Sequence, residues 1–297
     1  MIDALGALGR QVESGDVVLV LGAFLVGSSL LSLLLVARRI VGTNGRIDGY
    51  RRFAWQIGAL LSLEQAYEYT RGQITPNTPD IALLHSYRLL DLEWKHGLFV
   101  EQRLERFFLQ FQPIMNAIDL FYVLGHLVGT VGVLVWIYLR RRDRYAFVRN
   151  LMMLTTAIAL VAFYLYPTAP PRMLGNYGFV DPLQLYHLVG DGGSQPGSFT
   201  YNPYAAMPSL HVAYALIVAW GLVLAERKIW IKAAAVFYPI AMAATVVISG
   251  NHWILDVVGA ALTVVGAAGI LLIVSWLGGR LSSRRNAIVS MTGGQAT

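Results

Sequence analysis

Cysteine is absent from the 297 residues, so neither disulfides nor thiolate metal sites are open to the chain. Charge is scarce. Asp, Glu, Lys and Arg make up 13% of the residues, where an ordinary soluble domain carries roughly a quarter. Hydrophobic residues make up 56%, and several runs approach the ~20 residues that cross a bilayer. These proportions exclude a soluble globular domain and predict an all-α, polytopic membrane protein. The net charge of +6 and the pI near 9.6 do not imply a nucleic-acid partner. The basic residues fall between apolar runs and read as topology signals. No cleavable leader is expected, because the first long run has acidic residues before it and basic ones after it.

Apolar runs predict spans at 17–36, 117–139, 147–166, 209–225, 231–248 and 254–276. The stretch 53–70 is shorter and carries Glu64 and Glu68, so hydropathy alone leaves it open. Charge decides it. If 53–70 crosses, the loops 37–52, 140–149 and 226–232 and the C-terminal tail share one side and hold 16 of the 23 Lys and Arg residues. Lys and Arg mark cytoplasmic loops. Seven spans follow, with the N-terminus outside and the C-terminus in the cytoplasm. Between the second and third spans, 80–92 and 99–111 have helical apolar spacing and predict an amphipathic extracytoplasmic cap. The expected domains are 1–116, spans plus cap; 117–276, a catalytic core; and 277–297, a disordered basic tail. Within that tail Ser290–Gln295 resembles part of an epitope tag and is given no function.

This topology gathers three polar clusters on the non-cytoplasmic side. One is Pro170-Pro171-Arg172. Another runs from Asn202 to His211, where His211 opens a span. The third is His252 with Asp256, four residues apart and so on one helical face. The carboxylate can orient one imidazole nitrogen and leave the other as a base or nucleophile. Two histidines, a carboxylate and an arginine suit in-line phosphoryl transfer. His252, oriented by Asp256, can attack phosphorus, and His211 can protonate the leaving oxygen and later activate the acceptor. Arg172 offers a planar fork to non-bridging oxygens. Backbone N–H groups where His211 and His252 begin their helices could add anion binding.

Pro208-Ser209-Leu210-His211 together with His252-Trp253-Ile254-Leu255-Asp256 resembles the paired histidine motifs of the type 2 phosphatidic acid phosphatase superfamily. The branch with inositol-phosphorylceramide and sphingomyelin synthases is the more similar. The resemblance covers roughly 117–276. It implies that His252 forms a phospho-histidine, that Asp256 orients it, that His211 is the general acid and base, and that no metal or other cofactor takes part. Two of the family's cations are missing. Leu165 stands where a lysine is expected, and Val246 where an arginine is expected before the nucleophile. A phosphodiester monoanion needs such cations less than a phosphomonoester dianion, which favours a lipid phosphotransferase of the plasma membrane over a lipid phosphate phosphatase. Lys95, His96, Arg103 or His126 could supply the missing charge.

Each residue has a plainer reading. His252 and Asp256 could be a buried structural pair, and Arg172 a snorkelling side chain. Asp119, Tyr122 and His126 share a helical face, so a helix–helix cluster competes with substrate contact. Asn202 and Ser209 could be helix caps rather than phosphate ligands. His85 and His187 read as surface residues, and Gly259, Gly266 and Gly269 as close helix packing. A small-molecule transporter is the rival from another class, opposed by the clustering of polar residues at one face and by the lack of an inverted repeat. The expected partners are bilayer lipids, not nucleic acid; the oligomeric state is left open.

Overall fold

The computed structural model describes residues 56, 58, 79–180 and 203–293. Regular structure among them is helical, apart from one isolated bridge. The span expected at 17–36 lies outside the described residues, as does 53–70 except for positions 56 and 58.

Two short helices come first, α1 (Pro79–Lys95) and α2 (Glu101–Leu109). Pro79 pre-sets the first turn of α1, and Asp80 places a negative charge there. Next, α3 (Gln112–Leu120) takes its start from Pro113. Helical backbone angles continue through a π-turn at Phe121–Gly125 into α4 (His126–Arg140). The rod therefore begins at Gln112 rather than at Ala117. Gly125 is required in the π-turn, since a Cβ there would stand 2.4 Å from the Phe121 ring. The Tyr238 hydroxyl donates to the Gly125 carbonyl at 3.3 Å and ties this turn to α7.

The remaining long helices are α5 (Arg142–Leu165), α6 (Leu210–Ala225), α7 (Ile229–Ile248) and α8 (Ile254–Gly293). Helix α6 is the centre and packs on α4, α5, α7 and α8. It is apolar nearly all round, and Ala213, Ala215 and Ala219 let neighbouring backbones come close. Helices α5, α7 and the Ile254–Arg280 part of α8 are each long and apolar enough to cross a membrane; α4 and α6 are shorter apolar helices. The Arg149 guanidinium donates to Gln56 at 2.8 Å, which puts the start of the 53–70 segment at the basic end of α5.

Two expectations are corrected. The tail read as disordered from Gly278 continues α8 as helix to Gly293; no proline interrupts 277–293, so nothing stops propagation. Among the described residues, nothing lies within 4 Å of a Cβ added at Gly266 or Gly269, so they pack closely on none of the described helices. They lie in the part of α8 whose Leu262 and Val265 are exposed. Gly259 does face a neighbour, the Met207 and Pro208 side chains. Helix α2 is amphipathic, with its two acids turned inward. Glu101 and Glu105 are fully buried, while Phe107 and Phe111 face outward. The acids point in because they have donors to satisfy there, as the site makes plain.

Candidate active site

Three loops meet at the end of the bundle where α5 and α7 finish and α6 and α8 begin. Thr168 donates its N–H to the Tyr204 carbonyl at 2.8 Å, and Ala206 returns one to Thr168 at 3.2 Å. Arg172 N–H reaches the Gly250 carbonyl at 2.9 Å, and Ser209 N–H the Asp256 carbonyl at 3.2 Å. Buried Ser86 on α1 bonds Ala169 through both backbone groups, accepting from its N–H at 2.9 Å and donating to its carbonyl at 2.8 Å. The Trp253 indole donates to that same carbonyl at 3.0 Å. The Pro170–Arg172, Asn202–His211 and His252–Asp256 clusters are thus drawn into one assembly; Asn202 itself lies outside the described residues, as does His187.

Gly250 makes the approach to His252 possible. It closes α7 with φ of +64°, a left-handed position that suits glycine at a helix C-terminus. A Cβ there would also stand 2.9 Å from a Glu105 carboxylate oxygen. Beyond it, His252 is nearly buried and Asp256 wholly so. His252 Nδ1 lies 2.9 Å from the Ala206 carbonyl and 3.2 Å from Asp256 Oδ2. Both partners accept, so Nδ1 carries the proton and Nε2 is left as the basic nitrogen. Asp256 Oδ2 also accepts from Trp253 N–H at 2.9 Å. Asp256 Oδ1 is buried with no hydrogen-bond partner among the described residues.

Opposite His252 stands His211, their ring centroids 6.0 Å apart. The π-turn brings two more rings to His211. Tyr122 stacks on it at 4.3 Å and His126 lies 4.4 Å away, itself stacked on Tyr214. Tyr122, His126, His211 and His252 therefore form a row. Ser209 is fully buried, and its hydroxyl accepts from Val212 N–H at 3.5 Å, the geometry of a helix cap.

Lys95 and Arg103 are not brought to this row. Lys95 is exposed and pairs with Asp91 one turn away at 2.5 Å. Arg103 is exposed on α2, on the side opposite Glu101 and Glu105. His96 is also exposed and bonds the Leu92 carbonyl at 2.8 Å. His85, read as a surface residue, instead fastens α1 to the loop after α5. Its Nδ1 bonds the Pro167 carbonyl at 2.7 Å, and its ring stacks on Tyr166 at 3.8 Å.

The anion site expected at the start of α8 is already filled from within. Trp253 N–H goes to Asp256 as above, Ile254 N–H to Glu101 at 2.9 Å and Leu255 N–H to Glu93 at 2.8 Å. Glu93 and Glu101 are fully buried. Burial first, then the Glu101 carboxylate beside it, push Glu93 up to about 9, so it is neutral at pH 7. The sequence reading missed these glutamates because charged positions on an amphipathic helix are ordinarily solvated. The available signal was the i, i+4 pair Glu101 and Glu105 in a chain with only 17 acidic residues. Among the described residues, no cluster of three or more His, Cys, Asp or Glu is arranged to hold a metal ion.

A family model described as the PAP2 superfamily matches residues 87–270, a segment that contains every group in the histidine row. No curated protein and no solved structure matches the chain.

Proposed function

The chain belongs to the PAP2 superfamily, and on that premise we propose that it is a membrane phosphotransferase that moves a phospho-head-group from a donor lipid to an acceptor hydroxyl. The observation that carries the reading is the doubly anchored Nδ1 of His252, which leaves Nε2 as the nucleophile, with the His211 ring 6.0 Å away. Nε2 attacks phosphorus and the P–O bond to the donor breaks. His211 gives its proton to the departing oxygen, and Arg172 holds the non-bridging oxygens. In the second half, His211 takes the acceptor's proton, the acceptor oxygen attacks, and the N–P bond breaks. Tyr122 and His126 line the acceptor side of His211. Ser209 serves first as a cap.

A phosphodiester donor is favoured over a phosphomonoester by what occupies the start of α8. Its N–H groups serve carboxylates, so they do not replace the two missing cations, and Lys95 and Arg103 stand on exposed faces. The Gln56–Arg149 contact supports a crossing 53–70 segment and, through it, an extracytoplasmic site in a seven-span plasma-membrane protein with a cytoplasmic C-terminus. The neighbouring synthase branch of the family fits this reaction; a lipid phosphate phosphatase, with water as acceptor, is the second reading.

The test uses purified protein and a phosphodiester lipid labelled at phosphorus. An acid-labile, base-stable adduct is expected in the native protein and none in His252→Ala; an adduct that persists in that variant overturns the mechanism. His211→Ala should slow adduct formation roughly 10²–10⁴-fold. Label that appears in water rather than in an added acceptor lipid would make the enzyme a phosphatase.

A further inference from the structure

We infer that Glu101 and Glu93 are positioning residues, whose carboxyl groups hold the first turn of α8 from two other helices and so fix where His252 and Asp256 stand. The catalytic half of this inference rests on the proposed phosphotransfer; the structural half does not.

A helix start leaves its first N–H groups without partners inside the helix. In α8 two of these bonds are made by side chains far away in the chain. Glu101 belongs to α2 and takes Ile254 N–H; Glu93 belongs to α1 and takes Leu255 N–H. A second oxygen of Glu101 accepts from Val100 N–H at 2.9 Å, which fixes the carboxylate on its own helix. The remaining bond, Trp253 N–H to Asp256 Oδ2, uses the same oxygen that orients His252. The angle between Asp256 and His252 is therefore set by a turn whose outer bonds come from α1 and α2. Each buried N–H of such a turn needs its own acceptor. Two fully buried glutamates from separate helices supply two of them here, and each adds a constraint on direction.

The two acids do not play equal parts. Glu93 is the neutral member, so its carboxyl group can sit beside Glu101 without a second buried charge. The ionisable groups facing it are Glu101 on α2 and Asp256 on α8. Glu105, one turn further along α2, and Arg172 flank the same region at Gly250. An amide is close in shape to a neutral carboxyl group and also offers an acceptor and a donor. Glu93→Gln should therefore preserve the clamp, whereas Glu93→Ala should not. Ionisation of Glu93 at high pH would set a new charge against Glu101 and Asp256 and weaken the hold on Leu255.

The test pairs hydrogen exchange with turnover in full-length protein, in detergent. In Glu101→Ala, amides in the 252–258 peptide should exchange at least tenfold faster than in the native chain, and kcat should fall roughly 10- to 100-fold at little change in KM, as expected when reacting groups are held loosely. Glu101→Gln keeps an acceptor for Ile254 but turns its NH2 toward Val100 N–H, so it should recover part of both losses. The native enzyme should lose kcat as pH rises through about 9, and Glu93→Gln should not. Unchanged exchange in Glu101→Ala overturns the clamp. Faster exchange with native kcat overturns its positioning role, and a Gln variant no better than Ala overturns the hydrogen-bond account. Should the native chain transfer no phosphorus at all, the proposed function fails, while the exchange data still decide the clamp.

Discussion

Asp256→Asn separates two jobs that one carboxylate performs. The asparagine oxygen can take the place of Oδ2 and accept from Trp253 N–H and His252 Nδ1, at the 2.9 and 3.2 Å positions. What is lost is the charge. A hydrogen bond to a charged group contributes about 1.5–3 kcal/mol and a neutral one about 0.5–1.5; the difference, about 1–1.5 kcal/mol at 1.36 kcal/mol per decade of rate, predicts about a 5- to 13-fold fall in kcat. The fall should not approach the ~10⁴-fold loss expected where one carboxylate alone fixes the imidazole tautomer, because the Ala206 carbonyl also holds the proton on Nδ1. The amide nitrogen must then sit where Oδ1 now lies, a buried position with no partner among the described residues. Stranding a donor there should cost about 1–3 kcal/mol of stability. The assay is rapid-quench formation of the labelled histidine adduct, with thermal unfolding alongside. A loss near 10⁴-fold would show that Ala206 does not hold the tautomer. A loss under threefold would show that Asp256 does not assist the nucleophile.

Other outcomes follow from single contacts. Ser209→Ala should lower stability by about 0.5–2 kcal/mol, as for a lost cap, with KM for the donor unchanged; a raised KM would mean that the hydroxyl binds phosphate. Gly250→Ala places a side chain at φ +64° and 2.9 Å from Glu105, so about 1–3 kcal/mol of strain should appear in thermal unfolding. Glu93 is protonated in the folded chain up to about pH 9, whereas its unfolded value is 4.5. The unfolded chain binds fewer protons between these values, so melting temperature should fall as pH rises from about 4.5 to about 9. In Glu93→Gln that part of the slope should vanish, and an unaltered slope would refute the assignment.

The apolar helices were legible because bilayer-length runs have few other solutions. Arg140-Arg141-Arg142 and Glu226-Arg227-Lys228 marked turns that the structure places between α4 and α5 and between α6 and α7. His252 and Asp256 were legible as a pair because four residues make one turn. The partner of His252 Nδ1 at Ala206 was not, since a backbone carbonyl leaves no mark in the sequence and its place depends on the bridge between Thr168 and Ala205. Glu93 and Glu101 were hidden for a related reason. Their donors lie more than 150 residues away in the chain, at Ile254 and Leu255. Local spacing reports which residues share a face, but not whether that face meets lipid, water or another helix.

The π-turn at Phe121–Gly125 has a consequence for the phase of its rod. It holds one more residue than an α-helical path of the same length would. Were the same residues wound as a regular α-helix, the half after the turn would be rotated against the half before it by about 100°. Buried Met115 and Asp119 would keep their place only if Tyr122 and His126 lost theirs, or the reverse. The two halves are thus indexed independently, one to the protein interior and one to His211. A substitution that closed this turn to regular α-helix would leave the hydropathy profile unchanged and cost the protein its histidine row.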